Sequence, residues 1–276
     1  MTFLDARPSP IAGTWYPKNP EALANSIDEY LRDAKLPPIQ GQVIGVIAPH
    51  AGHRYSGSVA AHAFATLRGL TPDLVVILSP FHNFDPHPLL TTKHQAYNTP
   101  LGNIEVDSSA IDELQSHLQI PITPIANDKE HSLEIELPFL QRVIKNEFKI
   151  LPVMIRAQEE FVAEQLGTAL AKVMKNRNAI LVASTDLSHF YDQQTATQLD
   201  QEMLKCFTVL DPSMIFEAEQ TGKGFACGHA AVATVQWTAK ALGANKVQIL
   251  KQATSGDVTG DYSSVVGYGA AVILRV

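Results

Sequence analysis

Val43-Ile44-Gly45-Val46-Ile47-Ala48, with Pro49-His50 after it, leads through a helical run from about Ser56 to Leu67 into Leu74-Val75-Val76-Ile77-Leu78, with His82 beyond. This stretch decides the fold. Neither apolar segment alternates apolar and polar residues, so each reads as a strand buried on both faces. Between them, Ala60, Ala61, Ala63 and Ala65 give the helix a surface small enough to lie close on a sheet. Strand, helix and strand at this spacing form a β-α-β unit, whose crossover makes the two strands parallel. Open α/β sheets bind ligands beyond the carboxyl ends of their strands. Here a histidine stands at that point after each strand.

The same alternation continues outward. Lys149 to Ile155 reads as a strand, Glu159 to Lys175 as a helix, and Ala179 to Ala183 as a strand followed by an Asp186–His189 turn. Two further helices precede Gly222; a helix opened near Cys227 then runs to about Leu242, and the last strands are Val247–Ala253 and Ser264–Ile273. On the amino-terminal side, Asn19-Pro20-Glu21 opens a helix to about Ala34, with Asn as cap and Pro in the first turn. Asp107 starts another helix. Glu130 starts one that continues to about Lys145, with Ser132, Glu134 and Glu136 on its solvated side. Phe84 to Ile104, rich in Pro, His and Thr, reads as a long loop with room for a short hairpin. The arm Pro8–Pro17 is irregular, and its aromatic residues should wrap onto the body. The expectation is one α/β domain over residues 1–276: a central, mostly parallel sheet with helices on both faces.

Composition limits the function. In 276 residues, 45% are hydrophobic and 18% charged, which suits a sheet covered on both sides. The net charge is −7 and the pI about 5.8, with no clustered Lys/Arg run, so a nucleic-acid surface is not expected. Two cysteines make no disulfide framework, Met1–Pro10 does not read as a signal peptide, and no apolar run spans a bilayer; a reducing cytoplasm and no membrane are expected. Nucleotide-binding glycine motifs, His-Glu-x-x-His and Cys-x-x-Cys are absent from the sequence.

The chemistry gathers at the strand ends. His50 and His82, taken as following neighbouring strands, are candidate ligands for one ion, with Asp186 as a further ligand or an orienting group. Cys227, in Phe225-Ala226-Cys227-Gly228-His229, lies at a helix start, where the dipole favours a thiolate that can bind metal or attack as a nucleophile. His189 is placed to exchange protons. His53, Arg54 and Tyr55 follow His50 and should line the mouth, and His131 is read as a supporting neighbour of the ligands. Imidazole and thiolate donors suit Fe(II) or Cu, with Zn a further candidate, better than Mg or Ca.

Ordered motifs along nearly the whole chain resemble the Memo family, which includes AmmeMemoRadiSam system protein B. They are Arg7-Pro8 with Ala12–Pro17, Pro49-His50-Ala51-Gly52 with Tyr55-Ser56-Gly57, Glu130–Glu134 with Leu137–Leu140, Ser184–His189, Cys227-Gly228 and Ser255–Tyr268. The resemblance implies a fold like that of the class III extradiol dioxygenases, which bind non-haem iron. It also implies a pocket lined by His50, His82, Cys227, Asp186 and His189. It implies a radical-SAM system partner encoded beside the protein, and a peptide ligand with a copper- or iron-linked redox role from the eukaryotic relatives. Two positions depart from the family pattern. His53 stands where Tyr is frequent, and Phe81 replaces the polar residue before His82, so a different substrate preference is expected.

Three functions of different class follow. The first is a metal-dependent redox protein; a thiolate among the ligands speaks against catechol ring cleavage. The second is a non-catalytic peptide- or partner-binding module using the same crevice, with Arg54 as an anion contact. The third is a hydrolase with Cys227 as nucleophile and His189 or His50 as base.

Overall fold

The computed structural model describes residues 5–276; the opening of the segment read above for a signal peptide, residues 1–4, lies outside the described residues. In chain order the strands are β1 (Ala6–Arg7), β2 (Gln42–Ala48), β3 (Leu74–Pro80), β4 (Leu89–Thr92), β5 (Ala96–Thr99), β6 (Gly102–Glu105), β7 (Ile122–Ile125), β8 (Lys149–Ile155), β9 (Ala179–Ser184), β10 (His189–Tyr191), β11 (Lys246–Thr254) and β12 (Val265–Arg275). The helices are α1 (Pro20–Asp33), α2 (His53–Ala65), α3 (Ser108–Ser116), α4 (Leu137–Val143), α5 (Glu160–Met174), α6 (Gln193–Val209), α7 (Ser213–Gln220), α8 (His229–Ala241) and α9 (Gly256–Thr259). Side-chain caps confirm two starts read from sequence: Asn19 accepts from the Ala22 N–H and Asp107 from the Ala110 N–H.

The nine-stranded sheet runs β10-β12-β2-β9-β3-β8-β4-β7, with β11 also paired to β12. Its centre, β2-β9-β3-β8, is parallel, and antiparallel pairs flank it. Two cores lie on opposite faces, and strand periodicity divides residues between them. On β3, Leu74, Val76 and Leu78 belong to the core shared with α5 and α8, while Val75 and Ile77 face the one shared with α1, α2 and α4. Close helix packing needs Gly167, where a Cβ would come within 2.7 Å of Trp237 as α5 crosses α8.

The structure corrects several expectations. His50 and His82 do not follow neighbouring strands, because β9 lies between β2 and β3. Chain order says nothing of a later strand inserting between two earlier ones. The stretch read as a loop from Phe84 to Ile104 carries the short hairpin allowed for it, β5–β6, but also β4, and β7 went unread as well. These strands have four residues each, too short for a periodic signal. The helix expected from Glu130 is instead a loop, one 3₁₀ turn at Glu134–Glu136 and then α4. Ser132, Glu134 and Glu136 are fully buried rather than solvated, because they find partners inside: Ser132 Oγ donates to the Pro80 carbonyl, Glu134 accepts from Arg7, Ser9 and Tyr16, and Glu136 meets Ser184. The helix expected from about Ser56 begins at His53, so His53, Arg54 and Tyr55 form its first turn.

The amino-terminal arm does wrap onto the body. Arg7 is buried, pairs with Asp128 at 2.7 Å and Glu134 at 2.5 Å, and donates to the Glu130 carbonyl. Glu134 Oε1 also accepts from Ser9 Oγ and Tyr16 Oη. This network fixes the segment 128–134 that crosses the carboxyl rim of the sheet.

Candidate metal centre

The end of β9 organises the site. Ser184 closes that strand between the ends of β2 and β3, and His50 and His82 lean over it from either side. Their ring centroids are 5.3 Å apart and nearly perpendicular. A third imidazole, His131, arrives from the crossing segment. It lies 4.7 Å from the His82 ring, almost parallel, and 5.5 Å from the His50 ring. One nitrogen from each of the three lies within 4.8 Å of the others. Atoms that close can share one ion with bonds of about 2.0–2.1 Å.

Each ring is held from its far side. Glu130 Oε1 accepts from His82 Nδ1 at 2.8 Å, and Oε2 accepts the His82 backbone N–H at 2.6 Å. The same Oε1 accepts the backbone N–H groups of His131 and Ser132 and stands 3.3 Å from His131 Nδ1. Burial opposes the charge on Glu130, but its bonds to His82 and the backbone hold the carboxyl well below the ordinary range. His50 Nδ1 meets Ser184 Oγ at 3.0 Å. With the Nδ1 atoms of His50 and His82 so engaged, Nε2 is the nitrogen left to each for ligation, that of His50 also meeting Cys227 Sγ.

Burial favours the neutral, ligating form of His50 and His131. It lowers His50 well below its usual value, with His82 and His131 adding to the effect. It lowers His131 to about 4 against a contrary pull from Glu130. Three oriented imidazoles with a thiol beside them fit Fe(II), Cu or Zn; hard cations prefer oxygen. A metal of this class therefore fits the residues present.

Cys227 and Asp186 adjoin the imidazole cluster without being part of it. Cys227 Sγ lies 3.1 Å from His50 Nε2 and accepts the Asp186 N–H at 3.3 Å. The dipole argument for a thiolate fails here. Cys227 precedes the cap of α8, and burial, with Asp186 nearby, pushes its thiol far up. Gly228 makes this approach of α8 to β9 feasible, since a Cβ there would lie 2.3 Å from the Ser184 carbonyl oxygen. Asp186 Oδ1 accepts the backbone N–H of His50 at 2.8 Å and of Ala51 at 3.3 Å, so it latches the β2 loop. Burial raises its pKa to about 7.

The other residues singled out from sequence are divided. His189 donates Nδ1–H to the Leu187 carbonyl at 2.8 Å, leaving Nε2 free, and burial lowers its pKa. It lines a cavity of about 340 Å³ with Leu187, Tyr191, Phe225 and Cys227. His53 turns into the body instead, where Nε2 bonds the Ile135 carbonyl and the ring packs edge-on against Phe139. Phe81 is buried in the α1/α2/α4 core. Arg54 and Tyr55 are exposed, with the guanidinium 5.8 Å above the Tyr55 ring.

Several contributors went unread in the sequence. Trp15 stacks 4.0 Å from the His131 ring, and Glu136 contacts Ser184 beneath His50. Glu219 pairs with His229 and accepts the Ala226 N–H beside Cys227. His229 Nδ1 faces the Ala226 carbonyl and Nε2 the Gln158 carbonyl. Burial opposes a charge on this ring, but with only acceptors around it Glu219 and those carbonyls raise its pKa and favour the imidazolium. Trp15 and His229 stood in stretches singled out from the sequence, but nothing local gave them a role at the site.

Comparison with known proteins bears on the whole chain. A family model described as Memo-like protein matches residues 7–272. A MEMO1 family protein of Nitrosopumilus maritimus is 36% identical over 265 residues, covering 94% of this chain and 96% of its own length. One from Methanopyrus kandleri is 36% identical over 276 residues, at 96% and 98% coverage. One from Thermotoga neapolitana is also 36% identical, over 275 residues, at 95% and 98%. Among the described residues no helix is long and apolar enough to cross a membrane.

Proposed function

The chain belongs to the Memo-like protein family, and on that premise we propose that it binds one redox-active transition metal, Fe(II) or Cu, through His50, His82 and His131. The observation that carries this reading is the convergence of three imidazole nitrogens within 4.8 Å, with Glu130 orienting His82 from behind. A carboxylate behind a ligating imidazole fixes its tautomer and raises its basicity. Cys227 borders the cluster through His50 and is an additional donor on the α8 side.

A bound ion of this class would supply Lewis acidity and one-electron chemistry. The chain's own residues do the rest. Glu130 and Asp186 hold the loops that carry His82 and His50. Trp15 covers His131. His189, its Nδ1 proton committed to Leu187, can accept a proton at Nε2 from a group in the adjoining cavity.

Anaerobic reconstitution with Fe(II), Cu(I) and Zn(II), followed by metal analysis, tests the reading. About one equivalent should remain bound after desalting, and His82→Ala or His131→Ala should abolish it while each variant stays folded. Retention of metal by both variants would refute the ligand set.

A second reading, partner binding at the same rim, draws on Phe190. This residue is 76% exposed and has φ +65°, in the left-handed region that bulky side chains avoid. Partner capture that survives His82→Ala but fails with Phe190→Ser would favour it.

A further inference from the structure

Ser184 has three polar neighbours and one proton to give. Its Oγ lies 2.7 Å from the Ser132 carbonyl oxygen, 2.6 Å from Glu136 Oε1 and 3.0 Å from His50 Nδ1. A hydroxyl donates once and accepts twice. The Ser132 carbonyl can only accept, so the hydroxyl proton belongs there. Both remaining neighbours must then donate to Oγ. Glu136 can do so only from a protonated Oε1, and His50 only as Nδ1–H. An ionised Glu136 would draw the hydroxyl proton to itself and leave two oxygens 2.7 Å apart with no proton between them.

We infer that Glu136 is a neutral carboxylic acid, and that Glu136 and Ser184 are positioning residues that hold His50 as its Nδ1–H tautomer with the Nε2 lone pair turned to Cys227 and the imidazole cluster. The surroundings of Glu136 agree. It is fully buried, no cation pairs with it among the described residues, and its Oε2 has no partner. An orphaned carboxylate oxygen would be costly there, whereas the carbonyl oxygen of a neutral acid is far cheaper to leave unpaired. Burial pushes this carboxyl well above its ordinary range, and the nearby Asp186 adds to the effect. The site therefore uses two glutamates in opposite states: Glu130, met by four donors, is ionised behind His82, and Glu136 is protonated behind Ser184.

The result is a chain of contacts, Glu136–Ser184–His50–Cys227, with steps of 2.6, 3.0 and 3.1 Å. Because His50 Nε2 is bare, the proton between it and Cys227 belongs to the thiol. The consequence for ligation rests on the metal-binding reading above; the tautomer is a property of the metal-free protein and is tested there.

The experiment is nitrogen NMR of the metal-free, ¹⁵N-histidine-labelled protein at neutral pH, paired with infrared spectroscopy. His50 should show a protonated Nδ1 and a bare Nε2. A neutral-carboxyl band should be present and vanish in Glu136→Gln, whose amide N–H replaces the acid as donor to Ser184 and keeps the His50 tautomer. Ser184→Ala should give mixed tautomers at His50 and weaken metal binding by about 10–100-fold. An Nε2–H tautomer in the wild-type protein, no Glu136-dependent band, or unchanged His50 shifts in a folded Ser184→Ala protein would each overturn the inference. Where Ser184→Ala does not fold, the wild-type spectra decide. A protein with the stated tautomer and band that takes up no metal upholds this inference and sinks the metal reading alone.

Discussion

Glu130 grips His82 twice, accepting its ring proton at Oε1 and its backbone N–H at Oε2, at 2.8 and 2.6 Å. One carboxylate therefore sets both the path of the loop after β3 and the direction of the imidazole it carries. Glu130→Gln keeps the size but replaces one acceptor with a donor facing other donors. Metal affinity should fall about 10–100-fold, read by competition with a chromophoric chelator. Unchanged affinity would mean that His82 needs no orienting partner.

Arg7 is the buried cation that pairs with both Asp128 and Glu134. Removing one partner of a buried pair leaves a desolvated charge, which typically costs about 3–5 kcal/mol. Arg7→Met should lower the urea midpoint accordingly, and Arg7→Met with Glu134→Gln should recover part of the loss. Equal midpoints for the single and double variants would contradict this account.

His53 is buried and neutral, with its pKa lowered by burial to about 4 from 6.5. The unfolded chain therefore binds a proton there before the folded one does. Its contribution is fully present above pH 6.5 and is lost as pH falls toward 4, on the order of 3 kcal/mol. His53→Gln keeps a donor to the Ile135 carbonyl but cannot titrate. Its stability should fall less steeply than that of the wild type over that window in urea melts at graded pH.

Cys227 should be a slow nucleophile. With its thiol pKa raised by burial, alkylation at pH 7.5 in the metal-free protein should run at least about tenfold slower than in the unfolded chain. Gly228→Ala must move α8 away from Ser184, so it should accelerate that alkylation and destabilise the fold by about 1–3 kcal/mol. Fast alkylation of the folded wild type would revive the thiol-hydrolase reading.

Trp15 lies against His131 and Trp237 packs between α5 and α8, so the two indoles report different places. Binding of Cu or Fe at the imidazole cluster should quench the fluorescence of Trp237→Phe protein and leave that of Trp15→Phe protein nearly unchanged. Equal quenching in both would place the ion elsewhere.

The sequence by itself determined the β2-α2-β3 unit, the parallel centre and the rim on which His50, His82 and Asp186 stand. Long apolar runs, small-residue helices and helix caps are local signals, and strand ends follow from them. Only the tertiary structure brought His131 to the other imidazoles, placed β9 between β2 and β3, and buried Glu134 and Glu136. His131 comes from a loop that crosses the rim, and a crossing loop has no periodicity to read. In one dimension a glutamate is a solvated charge by default; whether it keeps or loses that charge depends on what faces it. Arg7 is 127 residues away from Glu134, and Ser184 is 48 from Glu136. Burial and partners come from distant chain, and they decide protonation and hence which nitrogens are free to bind.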